Sequence, residues 1–412
     1  MGSIYTGIDL GTDSIKIVVV EKMRKGFKLL ASVASPSSYI DGGEITNTKG
    51  CVEELKKALT SINDMLGIKI NKAICLLNPI NLRMDIIEGS TNVMDIENIS
   101  GADISNLLNN AINDIDLEDN ELVTSTPINF VIDGDRKVKD PKGLSGALLE
   151  SKIVISSINK SSLYRVLEVL KLAGVDTVDI CFKSTGDYYV LKNNNLDNQT
   201  GAIINIGEKS SNISIFNKGI QIKNSTINMG SLNVDKDISY IYNCSLDVAR
   251  DLKENFAYAT HDDADDSEKT TILDKENNSK TINQVELSRI VEARMKEILN
   301  LASNEIKNLT NRRISYIIVT GGLSEINGMD HLIDIYYGNT GILCYINIVG
   351  IRHNKYSSVL GGCMYFDDKL SFREKKYNMV SNEDISEIVS IDGDVGYSNN
   401  NIISRVFGHF FD

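Results

Sequence analysis

Residues 5–21, YTGIDLGTDSIKIVVVE, decide the reading of the fold. Apolar β-formers run up to Leu10, the polar bend Gly11-Thr12-Asp13-Ser14 follows, and Ile15, Ile17, Val18, Val19 and Val20 make a second apolar run. Two such runs around a short Gly/Thr/Asp/Ser bend predict a β-hairpin. Glycine lets the backbone approach a ligand closely, and successive N–H groups in such a bend form an anion-binding nest. Thr12 and Ser14 add hydroxyls, Lys16 adds charge, and Asp9 has the chemistry to hold the water shell of a Mg2+ ion. Taken alone, the stretch also fits an ordinary surface hairpin.

The pattern recurs. Residues 201–216, GAIINIGEKSSNISIF, give a strand, a polar bend with Gly207 and an alternating strand. Residues 314–328, ISYIIVTGGLSEING, give a strand running into Gly321-Gly322. Hairpin, hairpin and strand–Gly-Gly, in this order, resemble the two phosphate loops and the adenosine loop of the actin/Hsp70/sugar-kinase superfamily. The resemblance implies an α/β, actin-like fold: two lobes of RNase-H-like repeats closing on ATP. It also implies nucleotide contacts from Asp9, Gly11, Thr12, Asp13, Ser14, Lys16, Asn205, Gly207, Lys209, Ser210, Lys253, Gly321 and Gly322, with Asp9 serving the Mg2+.

At 412 residues the chain is long enough for two or more cores. Its 42% hydrophobic and 24% charged residues match a globular protein. A net charge of −13 without a basic stripe argues against nucleic-acid binding. No apolar run is long enough to span a membrane, and the N-terminus lacks a signal-peptide pattern. The six cysteines form no CxxC pair and sit in apolar runs, which reads as buried, reduced thiols. The four histidines are dispersed, which argues against a His-based metal site.

In chain order, a strand is expected at 27–33, a helix at 47–66 with apolar positions at i, i+3 and i+4, and a strand at 72–77. A separate α+β unit then spans 83–158, with strands near 84–88, 122–133 and 148–155 and a helix near 102–112. Within it, Pro141-Lys142-Gly143-Leu144-Ser145-Gly146 resembles the Pro-x-Gly-Leu-x-Gly segment of the extra subdomain, 1C, of the bacterial cell-division family FtsA. Its place between the two phosphate loops is also that of the family. A helix at 159–173 and a strand at 175–182 complete the first lobe.

The FtsA resemblance divides the chain into subdomain 1A (1–82 and 159–195), 1C (83–158), 2A (196–230 and 309–370) and 2B (231–308). The helix starting near 245 is similar to the family segment that borders adenine, with Arg250 in place of its glutamate and Lys253 matching. In the family, the helix corresponding to 285–309 meets the C-terminal peptide of FtsZ, and Arg294 and Glu297 match the residues of that contact. Residues 356–366 are expected to form the helix that closes the second lobe.

Residues 371–400 read as a flexible linker, locally basic at its start, and the acidic, Asn/Ser-rich stretch 378–401, taken as about 24 residues, has a reach of about 27 Å. Residues 402–412, IISRVFGHFFD, place Ile402, Ile403, Val406, Phe407, Phe410 and Phe411 on one helical face, with Arg405 and His409 opposite. That is the pattern of an interfacial membrane helix, as in FtsA; a helix docking on a partner also fits. Burying six side chains yields at most about 9–18 kcal/mol. Ordering the segment costs about 1–2 kcal/mol per residue, so one tail is marginal and several tails on one polymer are needed.

Superfamily members usually carry Asp-x-Gly-Gly-Gly-Thr in the second phosphate loop; here the run is Asn205-Ile206-Gly207-Glu208-Lys209-Ser210. Asparagine cannot supply the charge that holds a cation, which predicts slow or absent hydrolysis. Lys209 is expected either to reach the γ-phosphate or to face solvent. The family resemblance thus implies a cytoplasmic, polymerising adaptor, peripheral on the inner face of the cell membrane at the division site. Its partners would be FtsZ, further copies of itself, lipid and other divisome proteins through 1C. Two other readings share the fold: a PilM-like pilus-assembly adaptor, and an ATP-dependent phosphotransferase of the sugar-kinase type.

Overall fold

The computed structural model describes residues 2–78, 80–113, 115–372, 375–381 and 384. The expected amphipathic helix at 401–412 and residues 373–374, 382–383 and 385–400 of the expected linker lie outside them.

The first lobe opens with β1 (Ile4–Leu10), β2 (Ser14–Lys22) and β3 (Phe27–Pro36), followed by the ribbon β4 (Ile40–Asp41) and β5 (Glu44–Ile45). Helix α1 (Thr48–Leu66) is capped at its start by the Asn47 side chain and ends on Gly67 in the left-handed region. Then come β6 (Lys72–Leu77), and, after the insertion, α3 (Lys160–Leu172), β11 (Asp176–Phe182) and α4 (Lys183–Leu191). The sheet runs β11-β6-β1-β2-β3. Every residue of β1 is buried, because both sheet faces are covered. Ile8, Leu10, Ile15, Ile17 and Val19 face α1 and α3; Tyr5, Val18 and Val20 join the opposite core.

The insertion holds β7 (Arg83–Asn92), α2 (Gly101–Asn113), β8 (Asn120–Ile132), β9 (Arg136–Val138) and β10 (Leu148–Asn159). Its sheet, β7-β10-β8-β9, has a core of its own around Leu107, Phe130, Leu149 and Ile153. The Pro-x-Gly-Leu-x-Gly run clamps a neighbouring loop: Gly143 N–H donates to Ile99 O, Ile99 N–H to Leu144 O, and Gly146 N–H to Ile96 O. Gly143 has φ +75°, and a Cβ on Gly146 would lie 2.1 Å from Ile132 Cγ2.

The second lobe repeats the first. Strands β12 (Thr200–Ile206), β13 (Ser211–Asn217) and β14 (Ile220–Ile227) precede α5 (Ser231–Tyr242), α6 (Leu246–Asn255), the hairpin β15 (Lys269–Leu273)–β16 (Ser279–Asn283) and the long α7 (Gln284–Leu309). Strand β17 (Tyr316–Thr320), α8 (Met329–Tyr337), β18 (Gly341–Leu343) and α9 (Ser357–Phe372) follow. The sheet order β14-β13-β12-β17-β18 matches the first lobe position for position, with β12 parallel to β17 as β1 is to β6.

Two expectations need correction. The helix at 357–372 does not close the second lobe. Its Val359, Leu360, Cys363 and Phe366 pack with Tyr5, Val18 and Ile74 on the first-lobe sheet. In exchange, α4 gives Tyr188 to the second-lobe core, stacked on Phe216 with ring centroids 4.5 Å apart. The lobes thus swap covering helices, because each sheet has a second apolar face to bury. The two helices meet backbone to backbone at Gly186 and Gly361. The linker, too, starts later than residue 371: Met379 and Val380 are buried, Met379 N–H donates to Ile4 O, and Ile4 N–H donates to Asn378 Oδ1. Apolar Met-Val completes the first-lobe core, which outweighs the acidic character of the surrounding sequence. All six cysteines are buried and unpaired.

Candidate functional site

A cavity of about 460 Å³ lies between the lobes, within the range of small-molecule sites. Its floor is made by the bends at the ends of β1, β12 and β17. The two hairpin bends close alike: Gly11 N–H donates to Ser14 O at 3.2 Å, and Gly207 N–H donates to Ser210 O at 3.0 Å. Gly321 takes φ +97°, and a Cβ there would lie 2.4 Å from Ile206 O. Glycine at 321 therefore lets the third bend lie against the second phosphate-type bend. Helix α5 starts directly on that bend, with Ser231 N–H donating to Gly207 O.

Of the thirteen residues expected around a nucleotide, all but Ser14 line the cavity. Ser14 is buried in β2, where its hydroxyl donates to Asp13 Oδ2. Asp9 is buried as well, and both of its oxygens face ammonium groups: Lys183 Nζ lies 2.6 Å from Oδ1 and Lys16 Nζ 3.7 Å from Oδ2. Burial pushes the Lys16 pKa down. Lys209 neither stands free over the cavity nor faces solvent unpaired: it reaches across to Asp41 of the first lobe at 2.8 Å. Arg250 makes a second bridge, with Nη2 3.0 Å from Glu208 and Nη1 3.5 Å from Asp13 of the first lobe. Lys253 is buried against Asp235 at 2.7 Å.

Sequence reasoning missed three groups here. Lys183 opens α4 immediately after β11, with no motif to mark it. Asp187, one turn further, accepts from Asn205 Nδ2 at 2.6 Å and from the hydroxyls of Ser357 and Ser358 at 2.6 and 2.7 Å. Burial raises its pKa to about 6 against those hydrogen bonds. His353 lines the rim, and burial pushes it down to about 4, so its imidazole is neutral near pH 7. The signal that could have found Asp187 is an acidic residue one turn after Lys183 at the start of a helix that follows a strand.

Arg294 and Glu297 lie on α7, away from the cavity. Arg294 forks onto Asp237 of α5, with Nε to Oδ2 at 2.6 Å and Nη2 to Oδ1 at 2.9 Å, and also pairs with Glu297. Tyr240, one turn along α5 from Asp237, is 88% exposed.

Two family descriptions fit this chain. One, "Cell division protein FtsA", matches residues 202–361; the other, "SHS2 domain inserted in FTSA", matches residues 81–157, the β7–β10 insertion. The chain belongs to the FtsA family. It is 25% identical to the cell division protein FtsA of Bacillus subtilis (strain 168) over 363 residues, 87% of this chain and 82% of that one. It is also 25% identical to FtsA of Streptococcus pneumoniae serotype 2 over 362 residues, 86% of this chain and 78% of that one. Among solved structures, the PilM–PilN type IV pilus biogenesis complex matches with TM-score 0.62 and 12% identity, covering 89% of this chain and 98% of that one. MreB5 of Spiroplasma citri bound to AMPPNP matches with TM-score 0.56 and 13% identity, covering 90% and 98%. The fold of this FtsA-family protein is therefore actin-like, with the FtsA insertion. No helix among the described residues is long and apolar enough to cross a membrane.

Proposed function

We propose that this cell-division protein is a nucleotide-binding, polymerising adaptor that ties FtsZ filaments to the inner face of the cytoplasmic membrane. The observation that carries the reading is the convergence of three glycine bends, far apart in sequence, on one cleft between two lobes, in a chain that also holds the FtsA insertion. A relative in fold, MreB5, was solved with AMPPNP and with ADP, which supports a nucleotide as the occupant.

The nucleotide acts as a wedge that sets the lobe angle and, through it, the contacts between copies. Hydrolysis is slow, because Asn205 has replaced the expected carboxylate and its amide is committed to Asp187. The FtsZ tail peptide docks on 2B by exchanging one of its carboxylates for Asp237 on Arg294, with Glu297 and Tyr240 beside it. The insertion meets other divisome proteins. The tail at 401–412 lies in the membrane interface, one weak anchor per subunit, so that assembly gathers anchors.

Co-sedimentation with anionic liposomes tests the tether. The full chain is expected to pellet in an assembly-dependent way, and the chain shortened to residue 400 to remain in solution. Equal pelleting by both would sink the membrane role. The FtsZ arm is read separately: R294A and E297A are each expected to weaken binding of the FtsZ tail peptide by about tenfold, roughly 1.4 kcal/mol. Unchanged peptide affinity in both variants would remove 2B from the proposal.

A further inference from the structure

One aspartate and two lysines meet on the floor of the cleft, and their arrangement is the reverse of what a magnesium site needs. Mg2+ keeps six oxygens in a tight octahedron and is usually held through one or two carboxylates together with phosphate oxygens. The carboxylate available on the first bend is Asp9, and Lys183 and Lys16 already face its two oxygens at 2.6 and 3.7 Å. All three side chains are nearly enclosed, at 5% exposure for Asp9, 14% for Lys183 and 10% for Lys16, so the pairing is not a solvent-screened accident of the surface. On the second bend the position expected to carry a carboxylate is Asn205, a neutral amide that donates to Asp187. Asp187 itself is filled by that amide and by two serine hydroxyls. Glu208, also on the second bend, is taken by Arg250. Among the described residues no group of three His, Cys, Asp or Glu could hold a metal. The magnesium expected at Asp9 does not fit these residues.

We propose that the cleft binds its nucleotide without a divalent cation, the Lys183 and Lys16 ammonium groups giving the phosphates the positive charge that a metal would bring. The inference rests on the nucleotide reading above. Two lysine side chains face the single Asp9 carboxylate on the floor of the cavity between the two bends. Lys16 Nζ lies directly under the first bend: a Cβ on Gly11 would be 3.0 Å from it. A phosphate arriving there exchanges with Asp9 for the Lys183 ammonium, and the buried setting makes each charge-assisted hydrogen bond stronger than at the surface.

Isothermal titration of the full chain with ATP, in EDTA and in excess MgCl2, tests this. The affinity in EDTA is expected within about threefold of that in magnesium. A loss of about tenfold or more on chelation overturns metal independence while leaving the nucleotide reading intact. Absence of binding in both buffers overturns both. K183A is expected to lose about tenfold or more in EDTA and less in magnesium, since Asp9 is then released to serve a cation. D9N, nearly isosteric, separates the cases by sign. Here it frees two lysines, so ATP affinity is unchanged or tighter; a tenfold weakening in magnesium would show that Asp9 serves a metal and overturn the proposal.

Discussion

Replacing Gly361 by alanine is the most direct probe of how the two lobes are joined. A Cβ built on Gly361 lies 1.8 Å from Gly186 O and 2.5 Å from its carbonyl carbon, whereas ordinary contact begins near 3.4 Å. The backbones of α4 and α9 would have to separate by about 1.6 Å, and neither partner is a side chain that can turn away. Overpacking of this kind costs up to about 3 kcal/mol or more. Alanine in a helix interior returns about 1 kcal/mol relative to glycine, so the net loss is about 2 kcal/mol. Gly362 supplies the control. It carries the same propensity gain one residue along, but its Cβ would meet only the movable end of Leu76, at 2.8 Å. Urea denaturation followed by far-UV circular dichroism should therefore show G362A near the parent and G361A clearly below it. Because α9 begins with the serines that hold Asp187, G361A should also weaken nucleotide binding. Equal stability for the two variants would refute the view that a backbone contact, and not general helix packing, sets the crossing.

Asp187 gives a pH dependence of known sign. Its pKa is about 6 in the fold against 3.8 outside it, so the folded protein retains a proton that the unfolded chain releases between these values. The stability it lends is full below about pH 4 and is lost as pH rises through about 6, by up to about 3 kcal/mol. The urea stability of the parent minus that of D187N should fall across that window, and a flat difference would exclude a raised carboxyl. The bridges Lys209–Asp41 and Arg250–Asp13 are partly exposed and worth at most about 1 kcal/mol each. K209A combined with R250A should leave the melting temperature nearly unchanged yet speed hydrogen exchange at the Gly11 and Gly207 amides; exchanging the charges, K209D with D41K, should slow it again. Truncation after residue 381 should keep the body's stability, whereas truncation after 374 removes Met379 and Val380 and should cost about 2–5 kcal/mol.

The three glycine bends were legible because each carries a local signature: an apolar strand running abruptly into glycine, followed in the first two by a second strand. The insertion was legible through its Pro-x-Gly-Leu-x-Gly run, whose Gly143 and Gly146 N–H groups donate to the backbone of residues 99 and 96. The destination of α9 was not. Its apolar residues announce a buried helix but not which sheet it covers, and only the close Gly186–Gly361 crossing, a contact between residues 175 apart, makes the exchange with α4 readable. Met379 and Val380 were misplaced because two apolar residues within a polar stretch have no period to reveal them. Lys209 and Arg250 were identified as departures from a pattern, yet their partners Asp41 and Asp13 belong to the other lobe, and sequence spacing is silent on such pairs.

The departures in the cleft are mutually consistent, which argues against simple decay of a catalytic site. A carboxylate at position 205 would face the Asp187 carboxylate as a like charge, whereas the Asn205 amide donates to Asp187 Oδ2 at 2.6 Å and the Ser357 and Ser358 hydroxyls donate to Oδ1. Glu208, where the superfamily pattern has glycine, pairs with Arg250, and Asp235 is shared by Arg250 at 3.7 Å and Lys253 at 2.7 Å. A site drifting free of function accumulates orphaned charges, each costing about 1–3 kcal/mol or more when buried. Here the new charges are paired, and two of the pairs span the lobes.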